Sequence, residues 1–188
     1  MVILMFGPPG SGKGTHAKKL SKTLKIPHIS TGDIFRKEIE EKTEIGNKIL
    51  RIMNNGNLVP DKITNEIIEK RLNQKDVKNG FILDGYPRKE SQIIAFDNML
   101  IRINQKIDYV LYLSISEKEC IKRLQERALI EGRPDDADLN VIKNRFKVYK
   151  EETAPCVQIY KKRGIVKTAE SQGTIDEIFS KIKEVLDV

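Results

Sequence analysis

Apolar residues along this chain fall into short, almost unbroken runs, separated by stretches in which they recur every three or four positions. The first run, Val2-Ile3-Leu4-Met5-Phe6, stops at Gly7, and Ala17, Leu20 and Leu24 then follow at helical spacing. The chain therefore opens as strand, loop, helix. Comparable runs occupy residues 80–84, 109–113 and 164–168, and a shorter one at 26–30 brings the expected strands to five. Continuous rather than alternating hydrophobicity marks strands covered on both faces. The expected fold is α/β, a three-layer P-loop type with a five-stranded parallel sheet between helices.

Between the second and third strands, residues 31–79 carry no strand-like run. Ile39, Ile45, Ile49 and Ile52, then Ile63, Ile67 and Ile68, keep helical spacing, which predicts a helical insertion, bounded at 30–59. Asn54-Asn55-Gly56-Asn57 marks a turn between two of its helices, and Pro60 suits the first turn of the next. A second interruption, Glu131-Gly132-Arg133-Pro134-Asp135-Asp136, separates a helix over 117–127 from a long one running from Asp138 towards Arg163. It reads as an exposed, mobile loop, part of a short lid over 126–136. No repeat or linker divides the chain, and 188 residues suit one core, so 1–188 is expected to be a single domain.

Composition narrows the partners. A net charge of +7 points to polyanions, but the lysines are scattered, without a basic tail or an aromatic platform, so phosphorylated small molecules fit better than nucleic acid. The opening apolar run lacks a basic leader and is too short to span a bilayer. Cys120 and Cys156 lie far apart, form no Cys-x-x-Cys pair, and have only two histidines to join them. No zinc site is expected; buried reduced thiols in a cytoplasmic protein without a membrane partner are.

Gly7-Pro8-Pro9-Gly10-Ser11-Gly12-Lys13-Gly14-Thr15 stands between the first strand and its helix. Glycines there let backbone N–H groups turn inward around phosphate oxygens. The helix start adds partial positive charge, and a lysine at position 13 can reach β- and γ-phosphates. Gly10, Ser11, Gly12, Lys13, Gly14 and Thr15 are accordingly the candidate ATP cradle. The usual magnesium-binding hydroxyl after the lysine is displaced by one position, to Thr15.

The variant Gly-x-Pro-Gly-x-Gly-Lys-Gly-Thr resembles the loop of nucleoside monophosphate kinases, and further blocks agree. They are Ser30-Thr31-Gly32-Asp33 with Arg36, Leu83-Asp84-Gly85-Tyr86-Pro87-Arg88, and Gly132-Arg133-Pro134-Asp135-Asp136 with Arg145. The resemblance spans nearly the whole chain and is to the adenylate kinases in particular. Thr31 and Gln92 form the pair that this family sets against the adenine of AMP, where UMP/CMP kinases carry Ala and Asn. An amide offers a donor and an acceptor, which suits N6 and N1 of adenine.

The resemblance implies the remaining roles. Arg36 and Arg88 take the AMP phosphate, together with Gly85, Tyr86 and Pro87. Arg123 and Arg127 take ATP phosphates, and Arg133 and Arg145 the phosphates of both nucleotides. Asn57, Leu58 and Val59 wall the AMP ribose and adenine, and the Gly173 backbone faces the adenine of ATP. Lys13, Arg88, Arg127, Arg133 and Arg145 form the catalytic set. Mg2+ comes with ATP, held mainly by phosphates and by water that Asp84 orients. Only Ala128 to Gly132 separate Arg127 from Arg133, where long-lid relatives insert a small β domain that in some binds zinc. The implied protein is a short-lid monomer, moving the terminal phosphoryl group of ATP onto AMP to give two ADP. His16, where the family often has glutamine, and His28 receive no role. A UMP or CMP kinase is the nearest rival, and a nucleotide-gated nucleic-acid module a more distant one.

Overall fold

A computed structural model describes residues 1–188. Five strands, β1 (Val2–Phe6), β2 (His28–Ser30), β3 (Phe81–Asp84), β4 (Tyr109–Ser114) and β5 (Val166–Glu170), form one sheet in the order β2-β3-β1-β4-β5. Every pairing is parallel, with Leu4 opposite both Leu83 and Val110. β1 is buried along its whole length, as its unbroken apolar run requires.

Two apolar layers enclose the sheet. Leu4, Phe6, Leu83 and Val110 face one side, packing with Tyr86, Phe96 and Tyr160. Ile3, Met5, Ile82 and Leu111 face the other, packing with Leu20, Ile178 and Ile182. Apart from Tyr86, which follows β3, these partners come from the helices α1 (Lys13–Leu24), α5 (Glu90–Arg102), α8 (Ala154–Lys162) and α9 (Ile175–Leu186). α9 starts with a capping box of Thr174 and Glu177. No helix is long and apolar enough to cross a membrane.

Two arms project from the carboxyl ends of the strands. The first contains α2 (Thr31–Glu40) and α3 (Glu44–Asn54), and is followed by α4 (Asp61–Leu72). It has its own small core of Phe35, Ile49 and Val59, against which Ile63 and Ile67 of α4 also pack. The second contains α6 (Glu117–Glu131), a 3-10 turn at Pro134–Asp136 and α7 (Leu139–Val148), joined through Cys120, Leu124, Ile142 and Phe146. The arms touch where Asn144 Nδ2 donates to Asn55 O at 2.7 Å and to Asn57 Oδ1 at 3.0 Å.

Three expectations change. The helix expected over 117–127 continues to Glu131, since Ala128-Leu129-Ile130-Glu131 contains no breaker before Gly132 ends it in the left-handed conformation. The expected exposed loop is exposed only in part, because Asp136 at its end is fully buried. The single long helix expected from Asp138 is two helices joined by a π-helical turn, Tyr149–Thr153.

Candidate active site

The phosphate loop leaves β1 at Gly7 and enters α1 at Lys13. Gly10 and Gly12 both sit at φ +84°, and a Cβ on Gly10 would lie 2.6 Å from the Cys120 carbonyl oxygen. The loop can therefore tighten against α6 only with glycine there. The Lys13 ammonium turns back onto the loop, donating to Gly7 O at 2.7 Å and Pro8 O at 2.9 Å. Burial lowers its pKa to about 8, against the opposing pull of Asp84, so it remains charged at neutral pH.

Above the loop opens a cleft of about 470 Å3 between the two arms. Five arginines line it: Arg36 and Arg88 from the first arm and the loop after β3, and Arg127, Arg133 and Arg145 from the second. Four of them have carboxylate partners. Arg36 pairs with Asp33, and Arg133 with Glu131 at 2.6 Å. Arg127 pairs with Asp136 at 2.6 Å, and Arg145 with both Asp135, at 2.9 Å, and Asp136. Burial alone would raise the pKa of Asp136. The hydrogen bond from Arg127 and the charges of Arg145 and Arg127 outweigh it and hold the carboxyl below its usual value.

Arg88 alone among the five has no carboxylate partner. Its Nε donates to Gly85 O at 2.8 Å, which aims the guanidinium without neutralising it. Burial lowers its pKa, Asp84 opposes that, and Arg145 and Arg36 add to it. Its backbone is also held: the N–H donates to Gln92 Oε1 at 2.8 Å, and Thr153 Oγ1 donates to its carbonyl at 3.1 Å.

Asp84 ends β3 beside the loop, where a Cβ on Gly14 would lie 3.5 Å from its Oδ2. Its side-chain oxygens accept no hydrogen bond, and no three His, Cys, Asp or Glu side chains converge as a cation cage. One free carboxylate beside a phosphate cradle fits a magnesium ion that phosphates and water mainly hold.

Asn57, Leu58 and Val59 after α3, Gly85, Tyr86 and Pro87 after β3, and Gln92 on α5 all line the cleft. Thr31 lies just behind this wall. It is 1 % exposed, its hydroxyl donates to Asp84 O at 3.2 Å, and Ser30 rather than Thr31 caps α2. Arg123 and Gly173 lie outside the cleft, on the far side of the loop. Arg123 donates to Ser171 O at 3.0 Å, and Ser171 Oγ in turn donates to Ser11 O at 2.8 Å, which ties α6, the loop and the β5–α9 connection together. His16 lies in this region, buried, with Nδ1 unpartnered, and burial lowers its pKa to about 4, so it is neutral.

Sequence reasoning assigned no role to Asp136, Asp61 or Thr153. The adjacent carboxylates of Asp135-Asp136, set between Arg127 and Arg145, were a signal for the first. Asp61 after Pro60 reads as an ordinary acidic residue of a first helical turn, and Thr153 carries no signal of its own.

A strand, a phosphate loop and a helix in this order, facing a second cation-bearing arm across one cleft, place the chain among the P-loop phosphotransferases. The family model described as adenylate kinase matches residues 5–165. Proteins named adenylate kinase from Mycobacterium tuberculosis (strain H37Rv) and Kocuria rhizophila are similar to it. The first is 48% identical over 186 residues, covering 99% of each chain, and the second 45% identical, covering 98% of each. One from Nocardioides is 42% identical over all 188 residues. The chain belongs to the adenylate kinase family.

Proposed function

We propose that the protein reversibly transfers the terminal phosphoryl group of ATP to AMP, giving two ADP, and so adjusts the balance of adenine nucleotides. The observation that carries this reading is the convergence of Lys13 and five arginines on one cleft between the phosphate loop and the helical insertion. A single polyphosphate would not require cations on both arms; two anionic nucleotides meeting end to end would.

ATP takes the loop from Gly10 to Thr15, with Arg123 towards its phosphates and its base towards Gly173. AMP takes the first arm, with Arg36 and Arg88 on its phosphate and its base against Val59 and Gln92. Arg127, Arg133 and Arg145 sit over the transferring group. An AMP phosphate oxygen is already anionic, so it attacks the γ-phosphorus without a general base while the bond to the β–γ bridging oxygen breaks. Mg2+ brought with ATP would neutralise the phosphates further, and Asp84 is the residue that would help to hold it. The short lid of the second arm, 126–136, excludes water that would otherwise accept the phosphoryl group. One chain supplies every one of these groups, which fits a monomer. Buried free thiols at Cys120 and Cys156 suit the cytoplasm.

The test is ADP formation from Mg-ATP with AMP, CMP, UMP or no acceptor at matched concentration. Turnover with AMP at least about tenfold above CMP and UMP is expected, from one mispaired polar contact at the base. Equal or greater turnover with CMP or UMP would overturn the adenine assignment; silence with all acceptors would overturn the enzyme.

A further inference from the structure

Gln92, on the first turn of α5, is 2 % exposed, yet it lines the cleft. Its amide is not free to choose its orientation. Oε1 accepts from the Arg88 backbone N–H at 2.8 Å, and Nε2 donates to Asp61 Oδ1 at 2.8 Å. A backbone N–H can only donate and a carboxylate can only accept, so a single orientation of the amide satisfies both. Turning it over would set oxygen against carboxylate and N–H against N–H. Asp61 is itself anchored, because its other oxygen accepts from Ser91 Oγ at 2.6 Å.

An amide has two N–H groups and two lone pairs. Asp61 and Arg88 use one of each, which leaves one donor and one acceptor for a ligand. Adenine offers an N6 donor and an N1 acceptor. Hypoxanthine offers the reverse, an O6 acceptor and an N1–H donor, and an amide free to turn over could serve it equally well. We propose that Asp61 is a specificity-determining positioning residue, which locks the Gln92 amide in the orientation that accepts a 6-amino purine and rejects a 6-oxo purine. This rests on the reading of Gln92 as the group that meets the acceptor base.

The competing role for Asp61 is local: it stands in the first turn of α4, where a carboxylate complements the helix dipole. Loss of that role would lower stability and would slow all acceptors alike. The proposal predicts a change in the ratio between acceptors.

The experiment measures kcat/KM for AMP and for IMP in the wild type, Asp61→Ala, Asp61→Asn, Ser91→Ala and Gln92→Ala, with thermal unfolding of each. Asp61→Asn keeps the size of the side chain, and its amide can turn to meet either orientation of Gln92, so it reports on the proposal even if Asp61→Ala folds poorly. In both Asp61 variants the AMP/IMP ratio should fall about tenfold, the worth of one charge-assisted hydrogen bond. Ser91→Ala, which leaves the Asp61–Gln92 bond intact, should keep the ratio within about twofold. A ratio that collapses in Gln92→Ala but holds in both Asp61 variants overturns the role of Asp61 alone. A ratio unchanged in Gln92→Ala overturns the reading of Gln92 on which it rests.

Discussion

Replacing Arg88 with alanine is expected to cut turnover about 10^3-fold, the lower end of what a transition-state arginine contributes in phosphoryl transfer. The reason is visible before any nucleotide arrives. Arg36, Arg127, Arg133 and Arg145 each have a carboxylate partner and must exchange or share it to meet a phosphate. Arg88 has none, and the Gly85 carbonyl, Gln92 and Thr153 hold its Nε, N–H and carbonyl in place. No carboxylate of the fold pairs with its charge, which on the proposed reading is left for an anion. Arg88→Ala should therefore unfold within a few degrees of the wild type, since no ion pair is broken. Arg88→Lys should recover little, because a lysine cannot donate in a fork. A loss below about tenfold, or one that Lys restores, would remove Arg88 from the chemistry.

Asp136→Ala should have the largest structural effect on the second arm. Its fully buried carboxylate is shared by Arg127 and Arg145, so its loss leaves Arg127 without a carboxylate and Arg145 with Asp135 alone. Breaking a fully buried pair costs about 3–5 kcal/mol. Arg127 and Arg145 remain 30% and 22% exposed, so water offsets part of this, and about 2–3 kcal/mol is expected here. Faster amide exchange across α6 and α7, with turnover down about 10^2-fold as both arginines lose their aim, is the signature.

The pH dependence has a definite sign. The folded pKa of Asp136 is depressed, so its stabilisation is complete above the unfolded carboxylate value of about 3.9 and is lost as pH falls through the folded value. Asp136→Asn should flatten the acid limb of stability below about pH 4. An unchanged acid limb, together with unchanged exchange, would contradict the role given to this carboxylate.

Much of the architecture was legible because burial writes itself into composition. β1 and β4 are covered on both faces and stand out as unbroken apolar runs. β5 is an edge strand with exposed Lys167 and Thr168, and its expected span began two residues early. Gly164, the first residue of that run, closes the turn after α8 instead, its N–H donating to Lys161 O. The π turn at Tyr149–Thr153 could not be read, since its residues keep helical composition. It delivers the Thr153 hydroxyl to the Arg88 carbonyl, a long-range contact without a local signature.

The site divides in the same way. Gly10 to Thr15 was readable because a phosphate cradle imposes residue types at fixed spacing. The arginines were readable only through the family pattern, since a single arginine is usually a solvated charge. What the pattern did not give was their pairing: Asp33, Asp135 and Asp136 stand in its blocks and Glu131 beside one, but only the fold shows which arginine each of them meets. Asp61 was hidden for another reason, because a helix start already explains an acid there.

The central claim is direct transfer between two nucleotides in one cleft, and the fate of a labelled phosphoryl group tests it most closely. The protein is given Mg-ATP labelled at the γ-phosphorus together with unlabelled AMP, and the products are separated during the first turnovers. The account predicts that label appears in ADP, at the β position, with one ADP made from each nucleotide and almost none in inorganic phosphate. Label released mainly as inorganic phosphate, or retained on the protein, would contradict it.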